Sequence, residues 1–242
     1  MESSVVEIGT YIISLSSPLA QGEFGTVYKA ENKVSQAYVA AKSLALTKGT
    51  SEVGIDEMVK DRLDSMIGAS SHENLMQIYD YFRLDDLYWI FFEYGDLGNL
   101  KEYLIEYPDL EMKLRIKIMF EAASAIVFIH NRDHPNKHLN IQLENIMMKR
   151  EGNTDIVKLT DVGLATLYEK HQPMTRSISF GDVQDAVRKL SKYFQAPELF
   201  AELGDCFESN SVAADTFALG LVYLVVLDGG SDTDFLPLSG LN

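Results

Sequence analysis

The sequence predicts an α+β chain in two lobes: a small antiparallel sheet with one helix, followed by a mainly helical part. Three observations predict it. Short runs rich in Val, Ile, Tyr and Phe crowd the first third, the apolar period lengthens to that of a helix from about Asn99, and glycines loosen the stretch between, "EYGDLGN", Glu93 to Asn99. With 242 residues, 46% of them hydrophobic, the chain can fill a sizeable core. The lobes are expected at 1–94 and 95–242, together forming one domain.

Taken in order, "YIISL", "GTVYKA", "AYVAAKSL", "LMQIYDYF" and "LYWIFFEY" are strand candidates, separated by polar or Gly-containing turns. Between the third and fourth, "SEVGIDEMVKDRLDSMI" carries Ile55, Val59, Leu63 and Met66 at helical spacing. Beyond Asn99, Asp109 follows Pro108 as a candidate N-cap, and Leu114, Ile118, Ala122, Ile126 and Ile129 mark one face of a long helix. "ENIMM" and "IVKLT" read as short strands around a turn at Gly152 and Asn153. "VAADTFALGLVYLVVL", Val212 to Leu227, is apolar but shorter than the roughly 20 residues of a membrane span, and it contains Asp215. It predicts a buried helix and no membrane span.

Composition excludes several functions. With 36 acidic and 21 basic residues the formal charge is -15, the wrong sign for a surface that tracks nucleic-acid phosphates. Cys206 is the only cysteine, so no intrachain disulfide forms and a reducing, cytoplasmic home is expected. The first residues carry Glu2 and Glu7 where a signal peptide would be basic.

Two pieces suggest chemistry. "LAQGEFGTVYKA" joins two strands through a turn whose glycines let backbone approach phosphate oxygens. "YVAAKSL" sets Lys42 in an apolar strand, where an ammonium is expensive unless it meets an anion or snorkels to solvent. Order adds the context. A Gly-rich turn, a strand lysine, an acidic helix, a Gly hinge, a long helix, "HLNIQLEN", "LTDVGLA" and "QAPELF" succeed one another, and from about Leu19 to Asp228 the chain resembles a protein kinase domain. "GDLGNLKEYL" and "HENL" look closest to the tyrosine-kinase-like branch.

The resemblance implies a two-lobed kinase fold that uses ATP and Mg2+. It places Gly22 and Gly25 over the phosphates and Val27 and Ala40 against the adenine, with Ala20 where a first glycine is usual. Lys42 matches the lysine that contacts the alpha and beta phosphates. Its carboxylate partner would be Glu57, with Asp61 as the alternative. Phe92 matches the gatekeeper, and backbone groups of Glu93 to Gly95 would meet the base edge. Asn145 and Asp161 match the metal ligands, oxygen donors suited to a hard dication.

The departures gather in one loop. Asn140 stands at the catalytic-base position, where an amide has no basic lone pair for a hydroxyl proton. Leu139 replaces an arginine and Gln142 a lysine, while Val162 replaces the usual Phe. "HNRDHP" mimics the missing motif, but its Asp133 lies 12 residues before Asn145, whereas Asn140 lies 5 before it. Thr175, Ser177 and Ser179, near Arg176, are candidate phosphorylation sites. After Asp228 the sequence lacks the further helices that the family has, as in a partial sequence or a short form.

Two functions are therefore expected of the residues. One is a pseudokinase that binds ATP and signals through protein partners. The other is a weakly active Ser/Thr protein kinase that transfers the gamma-phosphate to protein hydroxyls. Substrate, partner and oligomeric state are not encoded legibly.

Overall fold

The computed structural model describes residues 5–22, 25–45, 59–61, 63–64, 66–68, 71–132, 138, 140–162, 194, 196 and 211–228. The chain divides into two compact units, one drawn from Met1–Ser71 and Met76–Tyr94, the other from His72–Leu75, Gly95–Glu169 and Met174–Asn242.

The first unit is built on one antiparallel sheet. Its strands are β1 (Val5–Ile8), β2 (Tyr11–Gly22), β3 (Gly25–Asn32), β4 (Tyr38–Ala45), β5 (Ile78–Leu84) and β6 (Leu87–Glu93), in the order β1-β2-β3-β4-β6-β5. β1 is a strand beyond the five expected; Val5 to Ile8 pair with Ser14 to Tyr11 and give that sheet an extra edge. β2 runs well past "YIISL", absorbing Pro18 through register shifts on either side of it, as proline requires in a strand. β5 begins later than "LMQIYDYF" suggested, because Leu75 bridges instead to Leu159 in the other unit's own sheet region.

Strand alternation gives this sheet two distinct faces. On one, Ile8, Tyr11, Ile13, Ala30, Val39, Ala41, Trp89 and Phe91 form a buried cluster, with Tyr11 stacked on Phe91 at 3.9 Å between centroids. Removing each of the larger aliphatic and Phe side chains from water contributes about 1.5–3 kcal/mol. Between β4 and β5, the described residues from 59 to 68 are helical, and Val59, Leu63 and Met66 are buried as their spacing predicts.

The second unit is mainly helical. Helix α1 (Leu100–Glu106) opens with a capping box: Asn99 Oδ1 accepts from Glu102 N, and Glu102 Oε2 accepts from Asn99 N, both at 3.0 Å. Helix α2 (Met112–His130) buries Ile118, Ala122, Ala125, Ile126 and Ile129. Asp109 is not its N-cap. The buried Arg115 donates to Pro108 O and Leu110 O, holding that segment out of the helix, and the cap falls on Glu111. A 3-10 turn (Leu143–Asn145) leads into the hairpin of β7 (Ile146–Glu151) and β8 (Thr154–Leu159), so the first two residues of "ENIMM" are turn.

Helix α3 (Ser211–Asp228) packs on α2, where Arg115 Nη1 donates to Val226 O and Tyr223 donates its hydroxyl to Met119 O. It is buried on one side only. Ala213, Phe217, Gly220, Leu224 and Leu227, spaced four and three residues apart, are exposed, so the helix expected to be buried is buried along one face. No helix among the described residues is long and apolar enough to cross a membrane.

Candidate nucleotide and catalytic-loop residues

In the first unit, register gathers the expected nucleotide residues onto the face opposite the aromatic cluster. Ala20 pairs with Val27, Val27 with Lys42, and Ala40 with Phe92 across four neighbouring strands. Since Ala40 and Lys42 are two apart on β4, all five share a side. Lys42 is buried with only 6% of its surface exposed, which sets aside the solvent-snorkelling alternative.

Gly22 and Gly25 are paired partners at the ends of β2 and β3. Gly25 has φ +118°, and a Cβ there would lie 1.7 Å from Ser43 O, so no other residue fits without moving β4. This glycine is required by the sheet itself as well as by any phosphate. Glu57 lies outside the described residues. Asp61, the alternative partner of Lys42, is helical and exposed.

Phe92 is buried and Glu93 ends β6, its N–H donating to Gln77 O at 2.8 Å while its carboxylate accepts from Gln77 N. One of the backbone donors expected at the base edge is thus already engaged. Gly95 belongs to the second unit, where a Cβ would come within 3.1 Å of Met147 Cβ.

The second unit assembles the catalytic-loop residues on a dense hydrogen-bonded frame. His138 is wholly buried; its Nε2 donates to Thr160 O at 2.8 Å and its Nδ1 accepts from Asn140 N at 3.3 Å, which fixes one neutral tautomer. Burial pushes its pKa down, outweighing the nearby Asp215 and Asp161 carboxylates. His138 is structural. Asp215, 1% exposed, accepts from His138 N at 2.9 Å and from His130 Nε2 at 2.8 Å, bracing the loop from α3 and tying it to the end of α2. The link to His130 was not foreseen, since nothing in a separation of 85 residues announces it.

Asn140 is 9% exposed, and its backbone carbonyl accepts from Asn145 Nδ2 at 2.8 Å. Its Oδ1 accepts from Gln142 Nε2 at 3.1 Å. Asn145 N donates to Gln142 O, and Thr160 N to Asn145 O, which places Asp161 one residue beyond a direct bond to the Asn145 backbone. Asp161 has φ +61°, a left-handed conformation that costs a non-glycine residue about 1–3 kcal/mol and is commonly stored at functional sites. With its Nδ2 committed to Asn140, the Asn145 side chain has an oxygen to offer, and this oxygen and the Asp161 carboxylate are the kind of donors that fit a hard dication. Among the described residues, no group of three or more His, Cys, Asp or Glu could hold a metal alone.

Leu139, Asp133, the segment bearing Thr175, Arg176, Ser177 and Ser179, and Cys206 lie outside the described residues. Val162 is partly buried against the second unit's core, which includes Phe194.

Residues 13–232 match the protein kinase domain family. The chain is 25% identical to the serine/threonine-protein kinase kin-29 of Caenorhabditis elegans over 93% of its own length, and 25% identical to the serine/threonine-protein kinase SIK1 of Rattus norvegicus over 98%. It is 26% identical to the G-type lectin S-receptor-like serine/threonine-protein kinase SD1-13 of Arabidopsis thaliana over 97%. It covers 24%, 27% and 26% of those three proteins, about a quarter of each. With the family match running through most of its length, the chain belongs to the protein kinase domain family.

Proposed function

We propose that this chain is a pseudokinase module: it binds ATP and Mg2+ and acts chiefly through conformations that signalling partners recognise. The observation that carries this is Asn140, an amide at the base position whose Oδ1 is already occupied by Gln142. Losing a general base costs about 10² to 10⁴ in rate. Replacing the neighbouring lysine by Gln142 also removes a charge that would stabilise the transferring phosphoryl group.

Val27, Ala40, Phe92 and Lys42 would receive the nucleotide, with Gly22 and Gly25 against its phosphates and the Glu93 to Gly95 backbone against its base. Asn145 and Asp161 would hold the metal, which when bound neutralises phosphate charge. Glu57 is the proposed partner of Lys42. On its single cysteine we place the chain in the cytoplasm.

A second reading, a weakly active Ser/Thr kinase, is favoured by the buried Lys42 and by Asn145 and Asp161, because phosphoryl transfer rests largely on positioning. One experiment separates them: phosphoryl transfer by the parent, N140D and K42M proteins. A near-inactive parent is expected. Robust parent activity abolished by K42M would establish the enzyme instead.

A further inference from the structure

The loop from His138 to Asn145 fixes its backbone and its side chains by separate means. Asn140 is anchored through its main chain, by His138 Nδ1 on one side and Asn145 Nδ2 on the other. Neither bond sets the direction of the Asn140 amide. Only Gln142 does, through Nε2 donating to Oδ1 at 3.1 Å, and the Asn140 Nδ2 makes no hydrogen bond with any described residue. Asn140 is nine-tenths buried, so turning its amide over with Gln142 unmoved would set two donors against each other.

We propose that Gln142 is the positioning residue for position 140: with Gln142 Nε2 on Asn140 Oδ1 the two amides work as one neutral unit and leave the Asn140 NH2 as the donor. The loop therefore meets a hydrogen-bond acceptor, such as a peptide carbonyl or an anionic oxygen, where an active kinase would take a hydroxyl proton. This rests on the pseudokinase reading for its meaning, although the pairing itself can be tested without it.

The test uses the whole chain carrying N140D, alone and combined with Q142M, and follows the introduced carboxyl by 13C NMR titration, which requires no catalytic activity. A donor held against a carboxylate favours its charged form, so Gln142 is expected to lower that pKa by about one unit relative to the double variant. Equal titrations would overturn the proposal. A second measurement avoids a charge in the loop: hydrogen exchange at the Gln142 side-chain NH2 is expected to quicken about fivefold in N140A, the equivalent of one ordinary hydrogen bond. Unchanged exchange would also overturn it. Robust Lys42-dependent transfer by the parent would remove the pseudokinase reading and leave the pairing standing, whereas equal titrations would do the reverse.

Discussion

Replacing Asp215 tests the frame beneath the catalytic loop. Its Oδ2 accepts two bonds, from His138 N and from His130 Nε2, and the residue is 1% exposed. Asp215→Asn keeps the shape and one acceptor oxygen but lowers each bond from charge-assisted to neutral, about 1 kcal/mol apiece and so about 2 kcal/mol together. Asp215→Ala removes both acceptors and strands a buried backbone N–H, for about 3–5 kcal/mol. In a domain of this size each kcal/mol lowers Tm by roughly 2–4 °C, so the Asn variant is expected to melt about 4–8 °C below the parent and the Ala variant lower still. Differential scanning calorimetry without nucleotide measures both. His130→Ala should add little once Asp215 is gone, since the two share one bond. An Asn variant within 1 °C of the parent, by the same scale, would refute the bracing role.

Other outcomes follow from the same frame. Mg-ATP at 100 times its Kd should raise stability by about 2.7 kcal/mol, or roughly 5–10 °C, and K42M should abolish the shift; an unchanged shift in K42M would deny Lys42 its nucleotide role. Gly25→Ala, with its Cβ directed at Ser43 O and φ at +118°, should destabilise the first unit by at least about 1 kcal/mol, seen as a lower urea midpoint. His138 has a folded pKa below its unfolded value of about 6.5, so the unfolded chain binds the extra proton and stability falls as pH drops through that value. His138→Gln should flatten the acid-side slope by up to about 1.4 kcal/mol per pH unit in urea melts between pH 5 and 7.5. A variant slope equal to the parent's would show that other groups carry it.

Much of this was legible in the chain because local rules and fold agreed. The apolar neighbours of Lys42 placed it in a strand, the resemblance supplied Val27 and Ala40 as its companions, and β4 and β6 carry the apolar runs that a central position demands. β1 was missed because Val5–Ile8 is only four residues long and includes a charged Glu7, too little for alternation to stand out. The start of α2 was misplaced because Asp109 has the right chemistry for a cap, yet Arg115, one turn into the helix, bonds the carbonyls that would have opened it. Spacing revealed Asn140 as the odd residue of its loop, but an i to i+2 contact such as Gln142 to Asn140 depends on backbone angles that no periodicity reports. The open face of α3 could not be read for a related reason: an apolar helix reveals its hydrophobicity in sequence, not how much of it neighbours cover.

Trp89 is the chain's only tryptophan, and its indole Nε1 is buried in the aromatic face of the first unit with no hydrogen-bond partner among the described residues. Tryptophan fluorescence, excited where tyrosine does not absorb, therefore reports from one place alone, with the short-wavelength emission of a dry indole that reddens when the sheet opens. Far-ultraviolet circular dichroism, dominated by the helices, reports mostly from the other unit. Overlaying the two signals during denaturation would reveal, without any label or substitution, whether the halves of this kinase domain lose their structure in concert or one after the other.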